Sequence, residues 1–208
     1  MTKTVVLKVD PKRPDKRSIE RAADVLRSGG LVAFPTETVY GLGASFLDEE
    51  AIGRLRRVKR RPGGKPFTVH IEKTAAIKKL KCGITRQAKR LIDKYWPGPL
   101  TIVLEGKNGP KTGFRMPDNA VALALIKKAG VPVVAPSANM SGLKPPTRPE
   151  DVLSQLDGMI DILLDAGPTD VGVESTVIDL TVTPPKILRE GAIKKRELLE
   201  VISEIGIL

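Results

Sequence analysis

Four short stretches place polar side chains where a ligand could reach them. FPTETVYGLG sets Thr36 and Thr38 just after a strand-like run, and VVAPSAN does the same for Ser137 and Asn139. VGVEST offers Ser175 and Thr176, and GFRMP holds Arg115 between a glycine-containing turn and a proline. A fifth stretch, RRVKRRPGGKPFTVHI, adds Lys59, Arg61 and Lys65 together with the chain's only histidine, His70. Taken singly, Ser, Thr and Asn at strand ends satisfy turns and helix caps. Taken together with three cations they suit a ligand that carries phosphates, a carboxylate and a hydroxyl. Lysine supplies a mobile point charge for such a ligand, and arginine a planar fork that matches phosphate or carboxylate.

Three better-known signatures do not hold. GLGASF begins like a dinucleotide fingerprint, but Phe46 stands where a third small residue is required and no acidic partner follows. Gly63-Gly64-Lys65 lacks the spacing of a phosphate-binding loop, and Pro66 replaces its magnesium-binding hydroxyl. Ser141-Gly-Leu-Lys144 fits the SxxK pattern of serine acylases without that pattern's companion elements.

The elements that must position these residues alternate between helix and strand. Ile19, Ala22, Ala23 and Leu26 recur at helical spacing, Gly29-Gly30 stops that helix, and LVAF reads as a buried strand. Asp48 predicts the N-cap of a second helix with Ala51, Ile52, Leu55 and Val58 inward, ended by Pro62. FTVHI predicts a strand, Thr85 caps a helix, LTIVLEG is a strand, and Asp118 starts a helix running through AVALALIKKAG into the strand PVVAP. PEDVLSQL is then a helix, DILLDAG, STVIDLT and KILREG are strands, and a terminal helix covers about Lys194 to Ile205. This alternation predicts a single α/β domain over residues 1–208, a twisted mixed sheet flanked by helices with a basic concave surface. The loop-like SANMSGLKPPTRPED follows a strand, the usual place for ligand loops in open α/β sheets.

Composition narrows the function classes. The formal net charge of +11 points to polyanionic ligands. Between Arg54 and Lys65 lie seven cations and no acid, so the excess is local. Aromatics at 3% leave few rings for a base-stacking platform. One cysteine, Cys82, excludes an internal disulfide and reads as a small buried residue in a reducing compartment. Lys8 and Asp10 interrupt the N-terminus before a signal-peptide apolar region forms, which predicts a cytoplasmic protein with no membrane partner.

FPTETVYGLG, KRRP with KPFTVHI, WPGPLT, FRMP, APSANMSG, VGVESTVIDL and ILREGAI resemble, in this order, the YrdC/Sua5/TsaC family of threonylcarbamoyl-AMP synthases. The match covers roughly residues 18 to 193 and looks like the single-domain type, without the second domain of longer members. The resemblance implies a nucleotidyltransferase that makes threonylcarbamoyl-AMP and pyrophosphate from L-threonine, bicarbonate or CO2, and ATP with Mg2+. The product would serve t6A modification of tRNA, with tRNA and the proteins of the next transfer step as possible partners. No protein metal site is expected, since no acidic cluster has metal-ligand spacing.

By the same resemblance, the family's KxR and SxN signatures fall on Lys59, Arg61, Ser137 and Asn139, which would hold ATP and the reacting centre. Lys65 and Arg189 would be further ATP contacts. Thr36, Thr38, His70, Arg115, Ala135 and Ser175 would surround threonine, with Arg115 clamping its carboxylate through paired hydrogen bonds. Arg54, Arg56, Arg57 and Arg60 are unassigned and are read as a solvated face or an electrostatic funnel. Pro145 departs from the family pattern, which has a serine there. The rival reading is a basic module that grips RNA phosphates without chemistry. It does not require the ordered hydroxyls and amide.

Overall fold

The computed structural model describes residues 3–61, 66–107 and 110–203. Its first half runs β1 (Val5–Lys8), α1 (Lys16–Arg27), β2 (Val32–Phe34), β3 (Gly41–Ser45), α2 (Glu49–Val58), β4 (Thr68–His70), α3 (Ala75–Lys79) and α4 (Arg86–Tyr95). The second half runs β5 (Leu100–Leu104), β6 (Thr112–Arg115), α5 (Ala120–Ala129), β7 (Val133–Val134), α6 (Pro149–Leu156), β8 (Ile162–Asp165), β9 (Thr176–Asp179), β10 (Lys186–Arg189) and α7 (Lys195–Ser203). The strands form one mixed sheet in the order β1-β8-β2-β3-β7-β4-β6-β5-β9-β10.

Alternation along the strands divides the core between two faces. Val32, Phe34, Val133, Ile162 and Leu164 pack with α1 and α5, whereas Ala33, Val134 and Leu163 join the cluster under α2, α4, α6 and α7. The α1 stripe is the one its spacing predicts, with Ile19, Ala22, Ala23 and Leu26 buried. Asp48 and Thr85 cap α2 and α4 as expected, accepting from Ala51 N and Ala88 N. Cys82 is a buried free thiol. Among the described residues no helix is long and apolar enough to cross a membrane.

Several elements differ from expectation. Helix α5 is capped by Asn119, whose side chain accepts from Ala122 N, because Asp118 lies one residue too early to reach the first turn's amides. Helix α2 closes before Pro62: Lys59 is its C-cap and Arg60 turns into the left-handed region at φ 47°. Within GLGASF, residues Gly41–Ser45 are the wholly buried strand β3, and Phe46 lies beyond its end, exposed. A Cβ on Gly43 would lie 2.9 Å from Phe34 Cε1, so glycine here admits the neighbouring ring rather than a phosphate. Strands β1 and β6 and helix α3 were not foreseen, being short or, in β6, interrupted by glycine.

This topology brings the polar strand ends together. β4 is parallel to β6 and antiparallel to β7, so His70 stands opposite both Arg115 and Val133. β5 pairs with β6 and, on its other side, with β9, which places Ser175 beside the same edge.

Candidate active site

Arg115, the last residue of β6, is the hub of the inner half of the site. It is 5% exposed; its Nε donates to Gly98 O at 3.3 Å and its Nη2 to Thr38 Oγ1 at 2.8 Å. Glu37 Oε2 lies 2.8 Å from Nη2 as an ion pair without hydrogen-bond alignment, and both partners are buried. Burial pushes the guanidinium down from its ordinary value, and Glu37 opposes that shift. Thr36 Oγ1 holds this turn together by donating to Val39 O at 2.7 Å and accepting from Val39 N at 3.2 Å. His70, buried at the end of β4, is pushed down to about 3, by burial first and then by Arg115's charge. Its imidazole is therefore neutral at physiological pH, and its Nδ1 has no hydrogen-bond partner.

Lys59 organises the outer half. Its side chain is among the largest that are fully buried, and its Nζ donates to the carbonyls of Ser137 and Asn139. Ser141 N donates to Lys59 O at 2.8 Å, so one residue fastens the whole SAN loop to the end of α2. Burial, reinforced by Arg61's positive charge and opposed by Glu174, brings the Lys59 ammonium down to about 8. The Asn139 amide donates to Met140 O and Leu143 O, which leaves its buried Oδ1 without a partner. The Arg61 guanidinium lies 5.0 Å from the centroid of Phe67, whose ring also carries Arg56 at 4.8 Å.

Arg189 joins the halves. Its Nε donates to Ser175 O at 3.0 Å, Nη2 to Ser175 Oγ at 3.2 Å and Nη1 to Glu174 Oε1 at 2.7 Å. Ser175 Oγ also meets buried Thr101 Oγ1 at 3.0 Å. Gly191 allows this approach, since a Cβ there would sit 2.2 Å from Glu174 O.

Two cavities result. The inner one is lined by polar groups including Thr36, His70, Thr101, Arg115 and Ser175, and the outer one by Lys59, Asn139, Ser141, Gly142, Leu143 and Pro145. Arg61, Ser137, Glu174 and Arg189 line both. A small polar ligand inside would thus lie against a larger anionic one outside.

Residues 24–191 match the family described as "Telomere recombination", Sua5/YciO/YrdC. This chain belongs to the Sua5/YciO/YrdC family. It is 43% identical over 213 residues to a threonylcarbamoyl-AMP synthase of Pyrococcus abyssi, covering 98% of this chain and 62% of that protein. It is 42% identical over 199 residues to the Bacillus subtilis threonylcarbamoyl-AMP synthase, covering 91% of this chain and 58% of that one. The crystal structure of P. abyssi Sua5 complexed with L-threonine superposes with a TM-score of 0.91 at 42% identity, covering 97% of this chain and 62% of that chain. The chain therefore spans about three-fifths of the length of these relatives.

Within this Sua5/YciO/YrdC fold, Lys59, Arg61, Ser137, Asn139 and Arg189 stand at the outer cavity, and Thr36, His70, Arg115, Ala135 and Ser175 at the inner one. Lys65 lies outside the described residues. Thr38 is not on either wall; it is fully buried and supports Arg115 from behind. Thr176 turns inward and donates to Ile193 O at 2.6 Å. Pro145 lines the outer cavity, whose wall takes its hydroxyls from Ser137 and Ser141. Glu37, Glu174, Thr101, Phe67 and Ser141 were missed. Glu37 and Glu174 sit inside the quoted PTET and VEST stretches, but nothing in sequence distinguishes an internal counter-ion from a solvated acid. Among the described residues there is no group of three or more His, Cys, Asp or Glu able to hold a metal.

Proposed function

We propose that this chain is a threonylcarbamoyl-AMP synthase that joins L-threonine, bicarbonate or CO2, and ATP, releasing pyrophosphate and supplying the t6A modification of tRNA. The carrying observation is the pair of cavities sharing the wall of Arg61, Ser137, Glu174 and Arg189. The inner one has the size and donors for an amino acid, and the outer one has cations for a polyphosphate. The names of the relatives agree with this reading and give none to the RNA-binding rival.

In the reaction, the threonine amine nitrogen forms a bond to carbon and becomes a carbamate: from CO2 it loses a proton to solvent, and from bicarbonate the C–OH bond breaks and water leaves. A carbamate oxygen then bonds to the α-phosphorus of ATP, and the bond from that phosphorus to pyrophosphate breaks. No enzyme nucleophile is required, so the residues act by positioning and by neutralising charge. Arg115 offers its remaining Nη1 to the threonine carboxylate. Neutral His70 hydrogen-bonds the amine or hydroxyl without transferring protons, while Thr36, its hydroxyl engaged within its own turn, shapes the wall beside it. Lys59 fixes the SAN loop so that Ser137 and Asn139 face the nucleotide, while Arg61 meets its phosphates. Mg2+ would arrive with ATP.

Pyrophosphate release measured with and without each substrate tests this. Release should require threonine, bicarbonate, ATP and a divalent cation together. Equal release when threonine is left out would identify a plain ATPase and overturn the proposal.

A further inference from the structure

Glu174 is the one acidic residue among the described residues that line either cavity, and it lines both. Its neighbours are cations: Arg189 is in direct contact at 2.7 Å, and Glu174's charge is felt by Lys59, Arg61 and Arg115. A carboxylate at this place is a liability for a polyphosphate site. It repels the incoming phosphates and it occupies the very arginine that would receive them. A residue serving only to hold Arg189 could be neutral, because Ser175 O and Ser175 Oγ already fix two of the three guanidinium nitrogens.

A divalent cation removes the conflict. Mg2+ takes hard oxygen ligands and is usually held by one or two carboxylates plus substrate phosphates rather than by an all-protein cage. The chain lacks a cage of that kind among its described residues. Asn139, which lines the outer cavity, carries a second hard oxygen: its Oδ1 is buried and unpartnered, with its amide orientation fixed by the two bonds its nitrogen donates. The available donors therefore fit a shared site, completed by the ligand's own phosphates, better than a resident one.

We infer that Glu174 is the protein's carboxylate ligand for the divalent cation that accompanies the polyphosphate, and that it makes this site discriminate between metal-loaded and metal-free phosphate. With the cation present, Glu174 leaves Arg189 for the metal, and Arg189 is released towards the phosphates. Without it, Glu174 stays on Arg189 and excludes them. The inference rests on the polyphosphate assignment made above and adds a metal contact that assignment does not contain.

The test is titration calorimetry of the full chain with inorganic pyrophosphate, in Mg2+ and in EDTA, for the parent and for Glu174→Gln. The ratio of the two affinities measures the coupling between cation and phosphate, and comparing that ratio between proteins cancels the pairing of Mg2+ with pyrophosphate in solution. In the parent, Mg2+ should tighten pyrophosphate binding by ~10-fold, a coupling of the usual size. In Glu174→Gln, metal-free pyrophosphate should bind more tightly than to the parent and the gain from Mg2+ should largely vanish. The same Mg2+ gain in both proteins overturns the inference alone: weaker binding in both buffers would mean that Glu174 only anchors Arg189. Failure of the parent to bind pyrophosphate in either buffer overturns the polyphosphate assignment as well. Should Glu174→Gln not fold, Glu174→Ala is read in the same way.

Discussion

Replacing Glu37 by glutamine isolates the charge behind Arg115. In the parent, the guanidinium and the Glu37 carboxylate are both buried, at 6% and 8% side-chain exposure, and lie 2.8 Å apart. Removing one partner of a buried ion pair costs about 3–5 kcal/mol, because the other charge is left uncompensated. Glutamine keeps the volume and can still present an oxygen, so the lower end, about 3 kcal/mol, is expected. For a domain of this length that corresponds to a fall in Tm of about 6–12 °C. Threonine should partly repair the defect, since its carboxylate supplies Arg115 with a new counter-ion. If about half of the lost stabilisation returns on binding, threonine affinity rises by ~10-fold, one decade being about 1.4 kcal/mol. The assay is calorimetric titration of L-threonine into both proteins, with thermal unfolding at matched concentrations. L-threoninamide, which lacks the carboxylate, is the control and should gain nothing. Unchanged or weaker threonine binding in a folded Glu37→Gln protein, or an equal gain for the amide, refutes the electrostatic argument.

Three further outcomes follow from the same geometry. The kcat/KM for ATP should fall as pH rises through about 8, because Lys59, brought down to that value, loses its proton there in the free protein, and no step should occur near pH 6.5, because His70, pushed down to about 3, is already neutral; a pH profile shows both. Arg115→Lys should raise the KM for threonine by ~10-fold with ATP's KM near the parent value, since a lysine ammonium held by Thr38 and Glu37 leaves no donor in the place of Nη1. Its Tm should also fall, because a single ammonium cannot serve Gly98 O, Thr38 Oγ1 and Glu37 together. Arg56→Ala should lower kcat/KM a few-fold, whereas Arg57→Ala should not, because Arg56 shares the Phe67 ring with Arg61 and a cation–π contact contributes about 0.5–2 kcal/mol.

The fold was legible wherever an element carried a long period or a cap. The α1 stripe, the Asp48 and Thr85 caps and the LVAF and LTIVL runs all announce themselves by spacing and residue type. The order of the strands did not, because β3 joins β2 to β7 and carries glycines where the Phe34 ring must pass. A glycine kept for a neighbour's bulk looks in sequence like one kept for a phosphate, and only the neighbour's position separates them. Strand β6 shows the same limit, since four residues including Gly113 give too little alternation to declare a strand.

The site was legible in its cations and not in their partners. Reading a sequence assigns each cation to a ligand, since no other anion is visible at the same place. In the fold these cations are already engaged: Lys59 with two carbonyls, Arg115 with Glu37 and Thr38, Arg189 with Glu174 and Ser175. Ligand binding here is therefore an exchange of partners, and the net gain per contact is smaller than a free cation would supply. An alanine substitution at any of them removes a ligand contact and strands a buried partner at once, so its cost overstates the contact. Changing the partner while leaving the cation in place, as Glu37→Gln does, separates the two effects: Glu37 lines neither cavity, so the change alters the counter-charge behind the cation and leaves intact what the substrate then touches.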